Sequence, residues 1–318
     1  MNGLAVASLG FREGVAHTPS QIRVRSGPYP PQLRPRHLVN RALDNGIQFR
    51  HCRPIMAETG NQSATVTNNA RFPDLENKVV LITGAARGIG RCIAEAFAEQ
   101  KSRLMLVDLS PSVVETALSI SNAYAVQATH AIANVTISEQ VKAAVDATLK
   151  AHGRLDVLVN NAGITRDKLA LRMSDEDWKA VIDTNLTGAF YFFRESVRYL
   201  RTTEGAVINI SSIVGLMGNA GQMNYCAAKA GMIGMVKCIN QEYGKSIRAY
   251  AICPGFIQTD MTSGLPEAVK QSFIQRTPQA RAGAPREVAE AVVCCAAKYG
   301  SSFKNGAIIP VAGGLGGI

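Results

Sequence analysis

An α/β fold with a doubly wound parallel sheet is the class that this sequence predicts, on three observations. Short apolar runs of strand length recur along the chain: KVVLIT from Lys78, LMLVD, DVLVN, AVINIS, AYAIC and AIIPV. Stretches of helical length and period lie between them, including Gly88 to Gln100, Ser138 to His152 and Met223 to Tyr243. A glycine-rich turn joins the first run to the first of these stretches. Runs that are apolar without alternation suit strands covered on both faces, and helices in the connections are what cover them.

Taken in order, KVVLIT opens the pattern and TGAARGIG, carrying Gly84, Gly88 and Gly90, turns it into a helix. Strand and helix then alternate to the C-terminus, with no repeat of solenoid period and no internal linker, so residues 76–318 read as a single domain. The chain has 318 residues, 47% of them hydrophobic, which is ample for one core of that size. No apolar run approaches the roughly 18 residues that cross a bilayer, so a soluble globular protein with no membrane partner is expected.

Residues 1–75 stand apart as an N-terminal extension that is expected to be disordered. Its first 55 residues hold eight Arg, no Lys, six Pro and only Glu13 and Asp44 as acids, and show no hydrophobic periodicity. An organelle transit peptide, a disordered tail, and upstream sequence translated from a misassigned start, with Met56 the initiator, all fit that composition. A cytoplasmic location is expected, or a plastid or mitochondrion if residues 1–55 are a transit peptide. Residues 1–55 carry +6 of the net charge of +10. The remainder carries no basic stripe interleaved with aromatics, so nucleic acid is not an expected partner.

The seven cysteines are scattered apart from the adjacent Cys294 and Cys295, and none forms a C-x-x-C pair. They read as small buried hydrophobes in a reducing compartment. His17, His37 and His51 fall in the extension, and His130 and His152 have no evident ligand partner, so no metal site is expected.

The glycine loop points to a dinucleotide. A strand that turns into a helix through glycines lets backbone N–H groups approach a pyrophosphate, which the positive helix N-terminus stabilises. Gly84, Arg87, Gly88, Ile89 and Gly90 form that loop, in the spacing G-x-x-x-G-x-G. Asp108 closes the second strand eighteen residues after Gly90, where a carboxylate can accept from both ribose hydroxyls of NAD and would repel a 2′-phosphate. Arg87 pulls the other way by offering that phosphate a cation. NAD(H) is the favoured cofactor, with NADP(H) open.

In NYCAAKAG, Tyr225 and Lys229 lie four residues apart, one turn along the same helix face, so phenol and ammonium can address one point. That pair joins a larger set. TGAARGIG, NNAG at Asn160 to Gly163, NLTG from Asn185, INISS ending at Ser212, Tyr225-x-x-x-Lys229 and PGFIQTDM from Pro254 resemble the short-chain dehydrogenase/reductases in order and spacing. The similarity runs from about Asn77 to Gly314. GITRDKLALRMSDEDW and IVGLMGNAGQMNYCAAKAG are most similar to the 3-oxoacyl-acyl-carrier-protein reductases of that family.

The resemblance implies a Rossmann-type fold and reversible hydride transfer between NAD(P)(H) and a ketone or secondary alcohol, above all reduction of a 3-oxoacyl thioester. Tyr225 would be the acid that protonates the nascent alkoxide, with Lys229 lowering its pKa and holding the nicotinamide ribose. Ser212, thirteen residues before Tyr225, would hydrogen-bond the substrate carbonyl, and Asn185 would hold a water that links Lys229 to solvent. Asn161, Ala162 and Gly163 would line the cofactor's path, Asn134 and Val135 would contact adenine, and Ile257 and Thr259, after Pro254 and Gly255, the nicotinamide amide. A homotetramer is implied as well. A dehydrogenase of another hydroxyl compound, such as a sugar alcohol or steroid, and a catalytically silent dinucleotide-binding scaffold are the other readings.

Two departures from the family pattern bear on packing and on the substrate. Asn305 and Ala312 stand where the family often has Thr and a polar residue near the C-terminus. Thr203, Glu204 and Ala206 occupy a loop that is usually basic where the substrate is carried by an acidic protein, with Lys245 and Arg248 as nearby compensation. An acyl carrier protein remains possible as a partner, and a free or CoA-linked substrate gains ground.

Overall fold

The computed structural model describes residues 72–299 and 301–317. The expected extension over residues 1–71 lies outside the described residues. Phe72 to Leu75, which the sequence reading also assigned to it, belong instead to the folded domain. Pro73–Leu75 forms one turn of 3-10 helix, Leu75 is buried, and the Phe72 amide donates to Gln100 Oε1 at 2.8 Å. Burying the Leu75 side chain stabilises the fold by roughly 2 kcal/mol, enough to hold this segment on the body.

The chain then runs through β1 (Val79–Thr83), α1 (Gly88–Glu99), β2 (Arg103–Asp108), α2 (Val113–Tyr124), β3 (Ala128–Ile132), α3 (Ser138–His152) and β4 (Val157–Asn160). It continues through α4 (Asp175–Ile182), α5 (Gly188–Thr203), β5 (Ala206–Ile210), α6 (Val214–Met217) and α7 (Met223–Tyr243). Last come β6 (Arg248–Pro254), α8 (Asp260–Ser263), α9 (Glu267–Arg276), α10 (Pro285–Ala296) and β7 (Ile308–Val311). Among the described residues no helix is long and apolar enough to cross a membrane.

All strands pair in parallel, in the order β3-β2-β1-β4-β5-β6-β7. Successive side chains of a strand point to opposite faces, and both faces are covered. Val80, Ile82, Leu104, Leu106, Val159 and Ile208 pack with Ile93 and Phe97 of α1 and with Val288 and Val292 of α10. Val79, Leu81, Met105, Val107, Leu158 and Val207 pack with residues of α3, α5 and α7, among them Val141, Phe192 and Val236. This is the doubly wound Rossmann-type sheet that the sequence predicts.

β3 is the strand that the apolar runs do not announce. It lies at the sheet edge, none of its residues is fully buried, and His130 and Ile132 are exposed. The chain order reverses between β1 and β4, which opens a crevice at the carboxyl ends of the strands. Thr83, Asp108, Asn160 and Ile210 end their strands there, and the residues after them build the site.

Candidate active site

The glycine loop fits a close-lying pyrophosphate. Gly84 and Gly88 have φ of +65° and +56°, which most side chains avoid. A Cβ on Gly90 would come within 2.1 Å of the Gly84 carbonyl oxygen, and one on Gly84 within 2.8 Å of Ala162 Cα. At Gly88 the same position meets nothing within 4 Å, so the loop presents bare backbone to open space at the N-terminus of a 12-residue helix. Arg87 is the exposed N-cap of that helix, and Ile89 packs partly into the core behind it.

Two residues that the sequence reading passed over hold the loop in place. Thr83 Oγ1 accepts from the amides of both Asn161 and Ala162 at 3.0 Å. Thr116 Oγ1, from α2, donates to the Ala86 carbonyl at 2.9 Å. The Asn161 side-chain amide completes the crevice by donating to the carbonyls of Thr83 and Gly84, at 2.9 and 3.0 Å. A threonine before a glycine turn is the available signal for the first; nothing in the sequence marks the second.

Asp108 sits half-buried at the end of β2, facing the loop. Its two carboxylate oxygens accept from the amides of Ala86 and Ser110, each at 2.9 Å. The carboxylate therefore fixes the loop as well as offering its remaining lone pairs outward. Asn134 makes a turn of its own, its Oδ1 accepting from the Thr136 amide and hydroxyl at 3.0 and 2.9 Å, while Val135 is buried against Gly188.

Ser212, Tyr225 and Lys229 come together beyond β5. Ser212 lies two residues past the strand, its Oγ accepts from the Val214 amide at 3.4 Å, and its side chain pulls the pKa of the nearby Tyr225 phenol down. Lys229 is buried, donates from Nζ to the Ile210 carbonyl at 2.8 Å, and stands 5.4 Å from the centroid of the Tyr225 ring. Ser211 Oγ donates to the Lys229 carbonyl at 2.7 Å and so ties β5 to this turn of α7.

The expected lowering of the Tyr225 pKa by Lys229 is not what this arrangement gives. Burial pushes the phenol up to about 12, against a downward pull from Ser212, and the nearby Asp167 adds to the rise. Burial also pushes Lys229 down to about 8. The ammonium faces the ring rather than the phenol oxygen, and withdrawal from water disfavours the charged form of each group.

Asn185 is buried in a π-helical turn, Asp183–Thr187, inserted between α4 and α5. The extra residue in that turn swings the side chain inward, a distortion often found at functional sites. Its Oδ1 accepts from the Ile164 amide at 2.8 Å and its Nδ2 donates to the Ile164 carbonyl at 3.0 Å. Both amide ends are thus occupied, and no π turn is legible in NLTG. Gly163 lies between Asn185 and Lys229, since a Cβ there would be 3.3 Å from Asn185 Oδ1 and 3.5 Å from Lys229 Nζ.

The far wall comes from the chain after β6. Pro254 accepts from the Ile213 amide at 2.9 Å, and a Cβ on Gly255 would meet Ala312 Cα at 2.8 Å. Ile257 is buried and bridges Gly283, and Thr259 caps α8. Asn305 earns its place outside the site, where its Oδ1 accepts from the Ala249 amide at 2.7 Å and its Nδ2 donates to the Ile247 carbonyl at 3.2 Å.

A family model described as short chain dehydrogenase matches residues 78–270. The chain belongs to the short-chain dehydrogenase family. Curated relatives of this short-chain dehydrogenase include the 3-oxoacyl-acyl-carrier-protein reductase FabG of Thermotoga maritima, 42% identical over 243 residues, which cover 76% of this chain and 98% of the relative. Proteins of the same name from Chlamydia muridarum and Aquifex aeolicus are each 41% identical over 244 residues, with the same shares covered. A short-chain dehydrogenase is an oxidoreductase of NAD(P)(H), and the crevice described above, with its bare glycine loop, fits a dinucleotide.

Proposed function

We propose that this short-chain dehydrogenase reduces the 3-oxo group of an acyl thioester to the 3-hydroxy form with NAD(H). The observation that carries the reading is the Lys229 ammonium against the Tyr225 ring, 5.4 Å from its centroid, with Ser212 close enough to lower the phenol's pKa. The names of the relatives support the substrate class.

In this reading Gly84, Arg87, Gly88, Ile89 and Gly90 hold the pyrophosphate, Asp108 the adenosine ribose, and Asn134 and Val135 the adenine. Asn161, Ala162, Gly163, Pro254, Gly255, Ile257 and Thr259 line the path to the nicotinamide. When bound, the nicotinamide supplies the hydride that reaches the carbonyl carbon. Ser212 and Tyr225 hydrogen-bond the carbonyl oxygen, and Tyr225 gives it the phenolic proton.

A phenol near 12 is a weak acid at neutral pH, and in this reading the Lys229 ammonium, 5.4 Å from the ring centroid, offsets part of the negative charge that builds as the proton leaves. Lys229 is an ammonium below about 8 and neutral above it. Ketone reduction therefore falls as pH rises through that value. In this reading Asn185, its side-chain amide engaged by Ile164, holds a water that links Lys229 to solvent.

Glu204 favours a CoA-linked or free substrate over one borne by an acidic carrier. Its carboxylate, in the loop before β5, pairs with Lys298 Nζ at 2.7 Å and so neutralises a cation that an acidic partner would otherwise meet. A homotetramer is part of the proposal, and its mass in solution tests it. The substrate reading is tested by mixing the protein with NADH or NADPH and acetoacetyl-CoA and following the nicotinamide absorbance. Consumption supports it. Turnover confined to sugar or steroid ketones moves the activity to another hydroxyl compound, and dinucleotide binding without turnover on any ketone makes the chain a scaffold.

A further inference from the structure

The buried end of Lys229 has a neighbour that no step above uses. Met232, three residues on and wholly buried, puts its Sδ 3.7 Å from Lys229 Nζ. The turn that carries both is fixed by two hydrogen bonds from β5 and the residue after it, Ser211 Oγ to the Lys229 carbonyl at 2.7 Å and Asn209 Nδ2 to the Met232 carbonyl at 3.1 Å. With the backbone held, the last rotor of the lysine is the freedom that remains.

An ammonium has three N–H donors. One goes to the Ile210 carbonyl at 2.8 Å, and the thioether is in place for a second. The third is then left on the side of Gly163 and the Tyr225 ring, where the reaction is proposed to occur. We propose that Met232 is a positioning residue for Lys229, its sulfur lone pair taking one N–H so that another is aimed at the site. A leucine would fill the same space with no lone pair, so packing and acceptor roles are separable. The titratable groups that face the ammonium are Tyr225 from its own helix and the Cys253 thiol from β6, while α5's approach contributes the neutral Asn185. The inference rests on the reading that Lys229 serves a carbonyl reduction.

The test uses the full chain with lysine labelled with ¹³C at Cε, titrated by NMR without cofactor, the Lys229 resonance being assigned by its loss in Lys229→Arg. Removing an acceptor destabilises the charged form, so in Met232→Leu the midpoint drops from about 8 by about half a unit. The alkaline limb of kcat shifts with it while the ketone KM stays put. Should Met232→Leu fold poorly, protein with every methionine replaced by norleucine gives the same drop, and selenomethionine protein, which keeps a lone pair, gives the wild-type midpoint. An unmoved midpoint in the leucine and norleucine proteins overturns the inference while leaving the reductase reading intact. A wild-type protein that reduces no ketone overturns the reading of the site, and the role of Met232 with it.

Discussion

Asp108 does two jobs in this structure, and Asp108→Asn separates them. The carboxylate accepts from the amides of Ala86 and Ser110 at 2.9 Å each, one oxygen apiece. An asparagine has the same shape but one end becomes a donor, so whichever way it turns, an N–H faces an N–H. The loss of one charge-assisted bond, with a donor left facing a donor, costs about 1–3 kcal/mol of stability. The same change removes a negative charge from the adenosine end of the site. Two unit charges about 5 Å apart at an effective dielectric near 40 repel by about 2 kcal/mol, which corresponds to about 30-fold in the relative use of a 2′-phosphorylated cofactor. The assay is kcat/KM for NADH and NADPH in wild type and variant, with thermal melting beside it. A variant that melts lower and shifts toward NADPH by that order agrees with the structure; a folded variant with an unchanged NADPH to NADH ratio refutes the assignment of Asp108 to the ribose.

Three further changes test the loop and the core. Gly90→Ala drives a Cβ to 2.1 Å from the Gly84 carbonyl oxygen and should distort the loop, whereas Gly88→Ala, strained at φ +56° but facing open space, should cost only about 1 kcal/mol of stability while putting its methyl in the space left for the pyrophosphate; wild-type dinucleotide affinity in either variant by fluorescence titration would contradict the cradle. His152 is buried, its Nε2 2.7 Å from Thr129 Oγ1, and burial with the nearby Arg103 lowers its pKa from 6.5. The unfolded chain thus takes up this proton first as pH falls through 6.5, and stability declines at lower pH by up to about 1.4 kcal/mol per unit. Denaturant melts at pH 7 and pH 5 should show a smaller decline in His152→Gln, and an identical decline would remove His152 from the account.

The sheet was largely legible because β1, β4, β5 and most of β6 are buried on both faces and so are written as unbroken apolar runs. β3 escaped because an edge strand with exposed His130 and Ile132 needs no such run. The nearness of Tyr225 and Lys229 was legible from their spacing along one helix, and the roles proposed for them and for Ser212 came from the resemblance of their motifs to the family. Their supports were not, because Thr83, Thr116 and Ser211 act through partners 18 or more residues away in sequence. The ionisation of Tyr225 and Lys229 was beyond reach for the same reason, since burial, not spacing, sets it.

The central claim is that the Tyr225 hydroxyl donates the proton that completes ketone reduction. Tyr225→Phe keeps the ring against the Lys229 ammonium and deletes only that oxygen. With acetoacetyl-CoA and NADH, measured beside a fluorescence titration of NADH binding, kcat should fall by about 10²- to 10⁴-fold while the affinity for NADH holds. A phenylalanine variant that reduces the ketone at the wild-type rate would contradict the account.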